Sequence, residues 1–203
     1  MLRNLPKLNL NFSDMVSGDN AIFIVPEIET ERLRLRRFAS NDYDALYRIF
    51  SNPEVIKFFG EGDPPSKEET EALLNRYIDA YWQEHHLGKW AVIDKPSKTL
   101  IGFCGFTMIR KIPEIAYMFA QEYWGRGLAT EAAAACLGYG FEVVGIESAI
   151  AYTRPENQAS KRVLEKIGMI YENIEAHYGY VFDKYGINRQ DYRKFNHQLT
   201  SSS

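Results

Sequence analysis

The chain has 203 residues, 45% of them hydrophobic and 25% charged, with a formal net charge of -3. That length and balance describe one globular domain with a sizeable core, and the negative charge argues against a nucleic-acid protein. No apolar run approaches the ~20 residues that a bilayer span needs, and the N-terminus carries no apolar signal core, so a cytoplasmic location without a membrane partner is expected. Cys104 and Cys136 lie in apolar contexts and read as buried free thiols of a reducing compartment. No Cys/His spacing suggests zinc, and the adjacent His85 and His86 lack the i,i+4 placement of a helical pair, so no metal is expected.

Residues 1–25 mix polar and apolar types without a period and read as an N-terminal extension, mobile as unpatterned termini are. Within it, Ile22-Phe23-Ile24-Val25 is apolar enough to dock. A single domain is expected over residues 26–200. Arg32-Leu33-Arg34-Leu35-Arg36 alternates with period two, which predicts a strand with leucines inward and arginines on a solvated face. Ser40-Asn41-Asp42 offers N-caps to a helix carrying Tyr43, Leu46, Tyr47, Ile49 and Phe50, which stops at Asn52-Pro53. Ser66-Lys67-Glu68-Glu69 resembles a capping box for a helix reaching about His86, with Leu73, Leu74, Tyr77, Ile78, Tyr81 and Trp82 on one stripe. Residues 90–93 and 100–109 follow as an antiparallel hairpin, and Gly102 and Gly105 mark a bulge or a close approach.

Residues 114–120 form a strand that leads into a glycine turn, a helix over 127–143 and a further strand at 148–153. This order implies a parallel pair with a right-handed crossover. Gly138 and Gly140 each cost about 1 kcal/mol against Ala inside a helix, so close packing is expected there. A helix from about Asn157 ends at Gly168. Residues 169–171, 178–182 and 192–197 read as final strands, with a turn at 183–186.

The stretch with the most chemistry is Tyr123-Trp124-Gly125-Arg126-Gly127-Leu128-Ala129-Thr130-Glu131-Ala132. A glycine turn feeding a helix leaves converging N–H groups unpaired, and the helix dipole adds about half a positive charge. Gly125 and Gly127 remove the Cβ atoms that would hold a ligand off the backbone, and Thr130 can add a hydroxyl. The matching ligand is a phosphate or pyrophosphate. No Gly-x-x-x-x-Gly-Lys-Ser/Thr string occurs, and the dinucleotide fingerprint lacks its third glycine. A glycine turn before a helix, without a ligand, is the plain alternative.

The frame at 124–129 resembles the acetyl-CoA pyrophosphate loop of the GCN5-related N-acetyltransferase superfamily, with Trp124 at its first position. Thr30-Glu31-Arg32-Leu33-Arg34-Leu35-Arg36 and Asn52-Pro53-Glu54-Val55 resemble its ribosomal-protein N-acetyltransferase branch. The run from Asn157 to Met169 resembles that branch's Asn-x-x-Ser helix. Together the matches cover residues 30 to about 195 in order.

The resemblance implies the acyl-CoA N-acyltransferase fold, of α/β (α+β) class. Its sheet is mixed and largely antiparallel, six- to seven-stranded, with helices on both faces and a central parallel pair that splays apart. It implies acetyl-CoA as cosubstrate. The pantetheine arm would lie along the main chain of Met118, Phe119 and Ala120 like an added strand. The pyrophosphate would sit on the amides of Gly125, Arg126, Gly127, Leu128, Ala129 and Thr130. Asn157 and Ser160 would contact the arm, although a helix cap alone accounts for Asn157 equally well.

The implied activity is acetyl transfer to a primary amine by direct attack, with Glu114 and Ser160 as catalytic residues. Glu114 would act as base through water; an ordinary solvated carboxylate is the alternative. The position where many relatives carry a proton-donating Tyr holds Leu164. The acceptor is open between the N-terminal α-amine of a protein and a small amine such as an amino acid, polyamine or drug. A non-catalytic acyl-CoA-binding module is the reading from a different class. The sequence is silent on oligomeric state, and a homodimer is one arrangement it allows.

Overall fold

Leu33 and Leu35 are fully buried while Arg34 points outward, so this stretch forms the strand its period implies. The computed structural model describes residues 26–79, 82–177 and 179–201. The expected N-terminal extension lies outside the described residues, as do Tyr81 and Tyr178.

The chain opens with strands β1 (Ile28–Glu29) and β2 (Leu33–Arg36), followed by helices α1 (Tyr43–Phe50), α2 (Pro53–Ile56), α3 (Lys67–Asp79) and α4 (Trp82–His85). Strands β3 (Lys89–Asp94), β4 (Thr99–Ile109) and β5 (Ile112–Phe119) come next, then helix α5 (Leu128–Gly138) and strand β6 (Ser148–Thr153). Helix α6 (Gln158–Lys166), strands β7 (Ile170–His177) and β8 (Tyr180–Asn188) and helix α7 (Arg189–Ser201) complete it. The strands build one sheet in the order β1-β2-β3-β4-β5-β6-β8-β7, antiparallel except where β5 meets β6. This is the mixed, largely antiparallel architecture expected. Among the described residues it has eight strands rather than six or seven, because Ile28 and Glu29 add an edge strand against Leu35 and Arg34 that is too short to show a period.

Helices cover both faces. Ala132, Ala133, Ala135 and Cys136 of α5, Leu164 of α6 and Tyr192 of α7 share one core. Leu46 and Phe50 of α1, Val55 of α2, and Leu74 and Tyr77 of α3 share the other with Phe103. The alanine row lets α5 lie close to the sheet. At Gly140 a Cβ would press on the Phe106 ring at 3.1 Å, the close packing expected, whereas at Gly138 it would make ordinary contact with the Tyr192 hydroxyl at 3.4 Å. The glycines of β4 are also required: a Cβ at Gly102 would collide with the Met118 carbonyl, and one at Gly105 with the Gly88 carbonyl.

Several expectations need correction. The Ser66–Glu69 capping box, whose two reciprocal bonds are 2.7 and 3.1 Å long, begins a helix, and the described residues of the expected span are helical over Lys67–Asp79 and Trp82–His85. Leu74 and Tyr77 pack in one core while Trp82 meets Trp90 edge-on at 4.5 Å in the other, so the expected stripe is divided between two cores. Residues 183–186 are the interior of β8, paired on both sides with β6 and β7. The chain turns instead before β8, where Gly179 has φ +80°. Residues 192–197 are helical: the Asn188 side chain accepts the Asp191 N–H at 2.9 Å and starts α7, and Tyr192 and Phe195 bury one side of it. The helix after the glycine turn is α-helical only to Gly138 and continues as π turns over Tyr139–Val144.

Candidate active site

The site begins where the sheet opens. β5 and β6 are paired only at Glu114 and Ile150. Beyond that point β5 stays on β4 as far as Phe119–Gly102, while β6 follows β8 as far as Thr153–Asp183. One main-chain edge of β5 therefore faces a wedge. The Ala120 N–H donates to the Ile101 carbonyl at 2.8 Å, and ladder alternation then turns the main-chain groups of Met118 and Ala120 toward β4 and those of Tyr117 and Phe119 toward the wedge. The expectation for residues 118–120 narrows to Phe119, and Tyr117 joins it. The Phe119 carbonyl accepts the Trp124 indole N–H at 2.8 Å, so its free group is the amide N–H.

The glycine loop closes the wide end. Gly125 and Gly127 have φ +73° and +76°, the left-handed region that disfavours a Cβ. Nothing lies within 4 Å of a Cβ built at Gly125, so its surface is open. Gly127 caps α5 without a side-chain hydrogen bond, which leaves the first amides of the helix, at Leu128, Ala129 and Thr130, facing outward with the dipole behind them. The Leu128 side chain is buried and the Arg126 side chain lies over the Tyr123 ring at 5.3 Å.

Arg32 and Glu131 fix this loop to the sheet. The Glu131 carboxylate accepts the Thr30 hydroxyl at 2.6 Å, the Arg32 N–H at 2.9 Å and the Arg32 Nε–H at 2.7 Å. Arg32 Nη1 reaches on to the Arg126 carbonyl at 2.8 Å. Arg32 is exposed like Arg34, as the alternation implies, but it is tied into this ion pair and precedes β2. We expect Glu131→Ala to lower stability in urea melts by about 1–3 kcal/mol, because the ion pair is half exposed and the lost acceptor matters more. Glu131→Gln, which keeps an acceptor, should lose less than half as much; equal losses would mean that charge rather than acceptor geometry holds the loop.

Glu114 stands at the apex of the wedge. It is half-buried, accepts the Thr107 hydroxyl at 2.9 Å and shares the α1–α3 face with Lys89. Lys89 is only 4% exposed, with its ammonium 4.9 Å above the Phe103 ring and 5.8 Å above that of Tyr77. Burial pushes the Lys89 pKa down, and the negative charge of Glu114 acts against that shift. On the same face, β6, β8 and β7 form a polar and aromatic floor. Tyr152 donates to Glu175 at 2.9 Å, His177 lies 2.9 Å from the same carboxylate, and Lys184 bridges Glu175 at 3.1 Å and Glu172 at 3.2 Å. Lys184 foremost, then Tyr152, holds Glu175 below the ordinary carboxylate range. Arg154 stacks over Tyr180 at 3.6 Å.

On the opposite face, the Asn157 side chain accepts the Ser160 N–H at 3.1 Å and caps α6. The Ser160 hydroxyl lies 3.1 Å from that of Tyr117. Leu164 is 1% exposed and belongs to the core, so its position offers nothing to the wedge. Asn52, the other residue of the resemblance, caps α2 and donates to Gln121 at 2.9 Å, tying the first helices to the turn after β5. Among the described residues no group of three His, Cys, Asp or Glu could hold a metal ion, and no helix is long and apolar enough to cross a membrane.

A splayed parallel pair ending on an uncapped helix can hold a long, anionic cofactor along its edge. The comparisons with known proteins agree with that geometry. Residues 32–170 match the family model described as an acetyltransferase (GNAT) domain. The chain belongs to the GNAT acetyltransferase family. The uncharacterized N-acetyltransferase YoaA of Bacillus subtilis is 32% identical over 158 residues, covering 76% of this chain and 89% of that protein. A solved GNAT-family acetyltransferase from Bacillus anthracis superposes with TM-score 0.70 at 31% identity, covering 81% of this chain and 99% of its own. The spermidine N(1)-acetyltransferase of Escherichia coli K12 is 21% identical over 153 residues, 75% of this chain and 81% of that protein. As a GNAT enzyme the protein is an acetyl-CoA-dependent acetyltransferase.

Acetyl-CoA at about 100 times its Kd should therefore stabilise the fold by about 2.7 kcal/mol, read as a shift in thermal unfolding. NAD and ATP at equal concentration should do much less. Equal stabilisation by NAD would reopen the dinucleotide reading of the glycine loop.

Proposed function

We propose that this enzyme transfers the acetyl group of acetyl-CoA to a primary amine by direct attack, without a covalent enzyme intermediate. Acetyl-CoA would lie in the wedge from the α5–α6 side, its arm on the main chain of Tyr117 and Phe119 and its pyrophosphate on the amides of residues 125–130. The observation that carries the reading is the position of Glu114: a carboxylate stands at the one point where the central strands still meet, on the face away from α5 and α6. An amine entering over that face has its proton acceptor beside the opening. Its nitrogen attacks the thioester carbon, the carbon–sulfur bond breaks with its electron pair going to sulfur, and the nitrogen proton passes to Glu114 through water. The amide N–H of Phe119 is the donor best aimed at the developing oxyanion.

For the acceptor we favour a small cationic amine. The floor supports this with the aromatic faces of Tyr152 and Phe182, while its carboxylates Glu172 and Glu175 already share Lys184. The name of the spermidine-acetylating relative supports it as well. A protein N-terminus would use the same chemistry at the wedge.

Free-thiol release by the full chain, measured against polyamines, amino acids and N-terminal peptides, tests the proposal. Turnover of diamines and polyamines is expected. Turnover of peptides alone would make it an N-terminal acetyltransferase, and acetyl-CoA binding without thiol release from any amine would overturn the catalytic reading.

A further inference from the structure

The residues that the transfer leaves unexplained are Tyr117 and Ser160. β5 sends the Tyr117 ring into the α5–α6 core, yet its hydroxyl crosses to the first turn of α6, 3.1 Å from Ser160 Oγ and 3.2 Å from the Ser160 carbonyl. Ser160 is held from the other side by the Asn157 cap at 3.1 Å. The main chain of Tyr117 borders the wedge, and this hydroxyl pair ties the same residue to the first turn of α6, on the side from which the cofactor arm is proposed to lie. One turn further along α6, Leu164 is sealed in the core and brings no proton-bearing group.

We propose that Tyr117 is a positioning residue for the departing sulfur: it donates to Ser160 Oγ and so turns the Ser160 hydrogen outward, as a donor to the CoA thiolate. The inference rests on the acetyl-transfer reading above. Two arrangements of the pair exist. With the Tyr117 proton on the Ser160 carbonyl, the Ser160 proton can fall back on the tyrosine oxygen. With the Tyr117 proton on Ser160 Oγ, the Ser160 proton is free, and an anion outside favours this second arrangement.

Neither proton is given up. Burial pushes the Tyr117 hydroxyl far above the ordinary phenol value, against the opposing pull of its Ser160 hydrogen bond. A thiolate whose acid has pKa about 8.5 cannot take that proton. The carbon–sulfur electron pair goes to sulfur, the amine proton goes to Glu114, and Ser160 and Tyr117 finish the step as they began it. Sulfur leaves as a hydrogen-bonded anion.

The test is the ionisation of bound CoA, followed by thiolate absorbance in wild type, Tyr117→Phe, Ser160→Ala and the double variant. In wild type the thiol should ionise about one pH unit below its free value near 8.5. Ser160→Ala should return it to the free value, Tyr117→Phe should return it about half-way, and the double variant should match Ser160→Ala. In turnover, Ser160→Ala should lose about tenfold in kcat and Tyr117→Phe about threefold, with the acetyl-CoA KM within about threefold, and the double variant should lose about tenfold rather than about thirtyfold.

A wild-type bound thiol ionising at its free value would overturn the proposal, as would losses in kcat that multiply. Ser160→Ala does not touch the core, so it decides the matter should Tyr117→Phe fold poorly. The titration needs no acceptor, so it reads the pair even if no amine is turned over and the acetyl-transfer reading fails.

Discussion

Gly127→Val is expected to raise the Kd for CoA about 100-fold or more, equivalent to about 2.7 kcal/mol of lost binding. Two effects act together. At φ +76° a β-branched residue is strained, at a cost of about 1–3 kcal/mol, and relief of that strain rotates the peptide that presents the first amides of α5. The added methyls also stand on the open surface that a pyrophosphate must approach: a Cβ at Gly127 meets only Arg32 Nη2, at 3.6 Å, so the side chain has room to fold over the loop. The same openness means that the fold survives. Gly127→Ala separates the two effects, since it keeps most of the strain with little of the bulk. Calorimetry gives the affinities and circular dichroism the folded fraction. A folded valine variant that binds CoA as the wild type does would remove the loop from the cofactor site.

Glu114→Gln should lower kcat/KM by about 10²-fold at pH 7. An amine attacks only when neutral, and a side-chain ammonium of pKa about 10.4 costs about 4.6 kcal/mol to deprotonate at pH 7, against about 1–1.4 for an α-amine. The glutamine keeps an oxygen for the Thr107 hydroxyl, 2.9 Å away in the wild type, so the lost property is proton acceptance. The defect should shrink as pH rises toward 9 and free amine accumulates, and it should be larger for polyamines than for N-terminal peptides. Wild-type activity of the variant at pH 7 would leave water or a main-chain carbonyl as the proton acceptor.

Local signals in the sequence found local structure. The alternation at Leu33 and Leu35, the capping box at Ser66 and Glu69 and the glycines at 125 and 127 each act within a few residues, and each stands where it was placed. The misses come from contacts that no local pattern records. Arg32 and Glu131 are 99 residues apart, and Tyr117 and Ser160 are 43 apart. The floor is assembled from Tyr152, Glu175 and Lys184 on three strands. The aromatic run at 192–197 has the composition of a strand, and only the Asn188 cap and the burial of Tyr192 and Phe195 on one side make it a helix. Residues 183–186 have turn composition, yet pairing on both sides keeps them extended.

The lysine sealed beneath Phe103 and Tyr77 also links the fold to proton concentration. The native state binds the Lys89 proton less tightly than the unfolded chain, where a lysine titrates near 10.4. Between the depressed native value and ~10.4, unfolding takes up a proton at this residue, so its contribution favours the native state increasingly as pH rises through that window. Below the native value both states hold the proton, and the native state carries a buried cation with Glu114 as its counter-charge. Acidification therefore loads a charge into the centre of the sheet, beside the carboxylate proposed to take the amine proton, and substitution of Glu114 by a neutral residue leaves that charge without its counterpart.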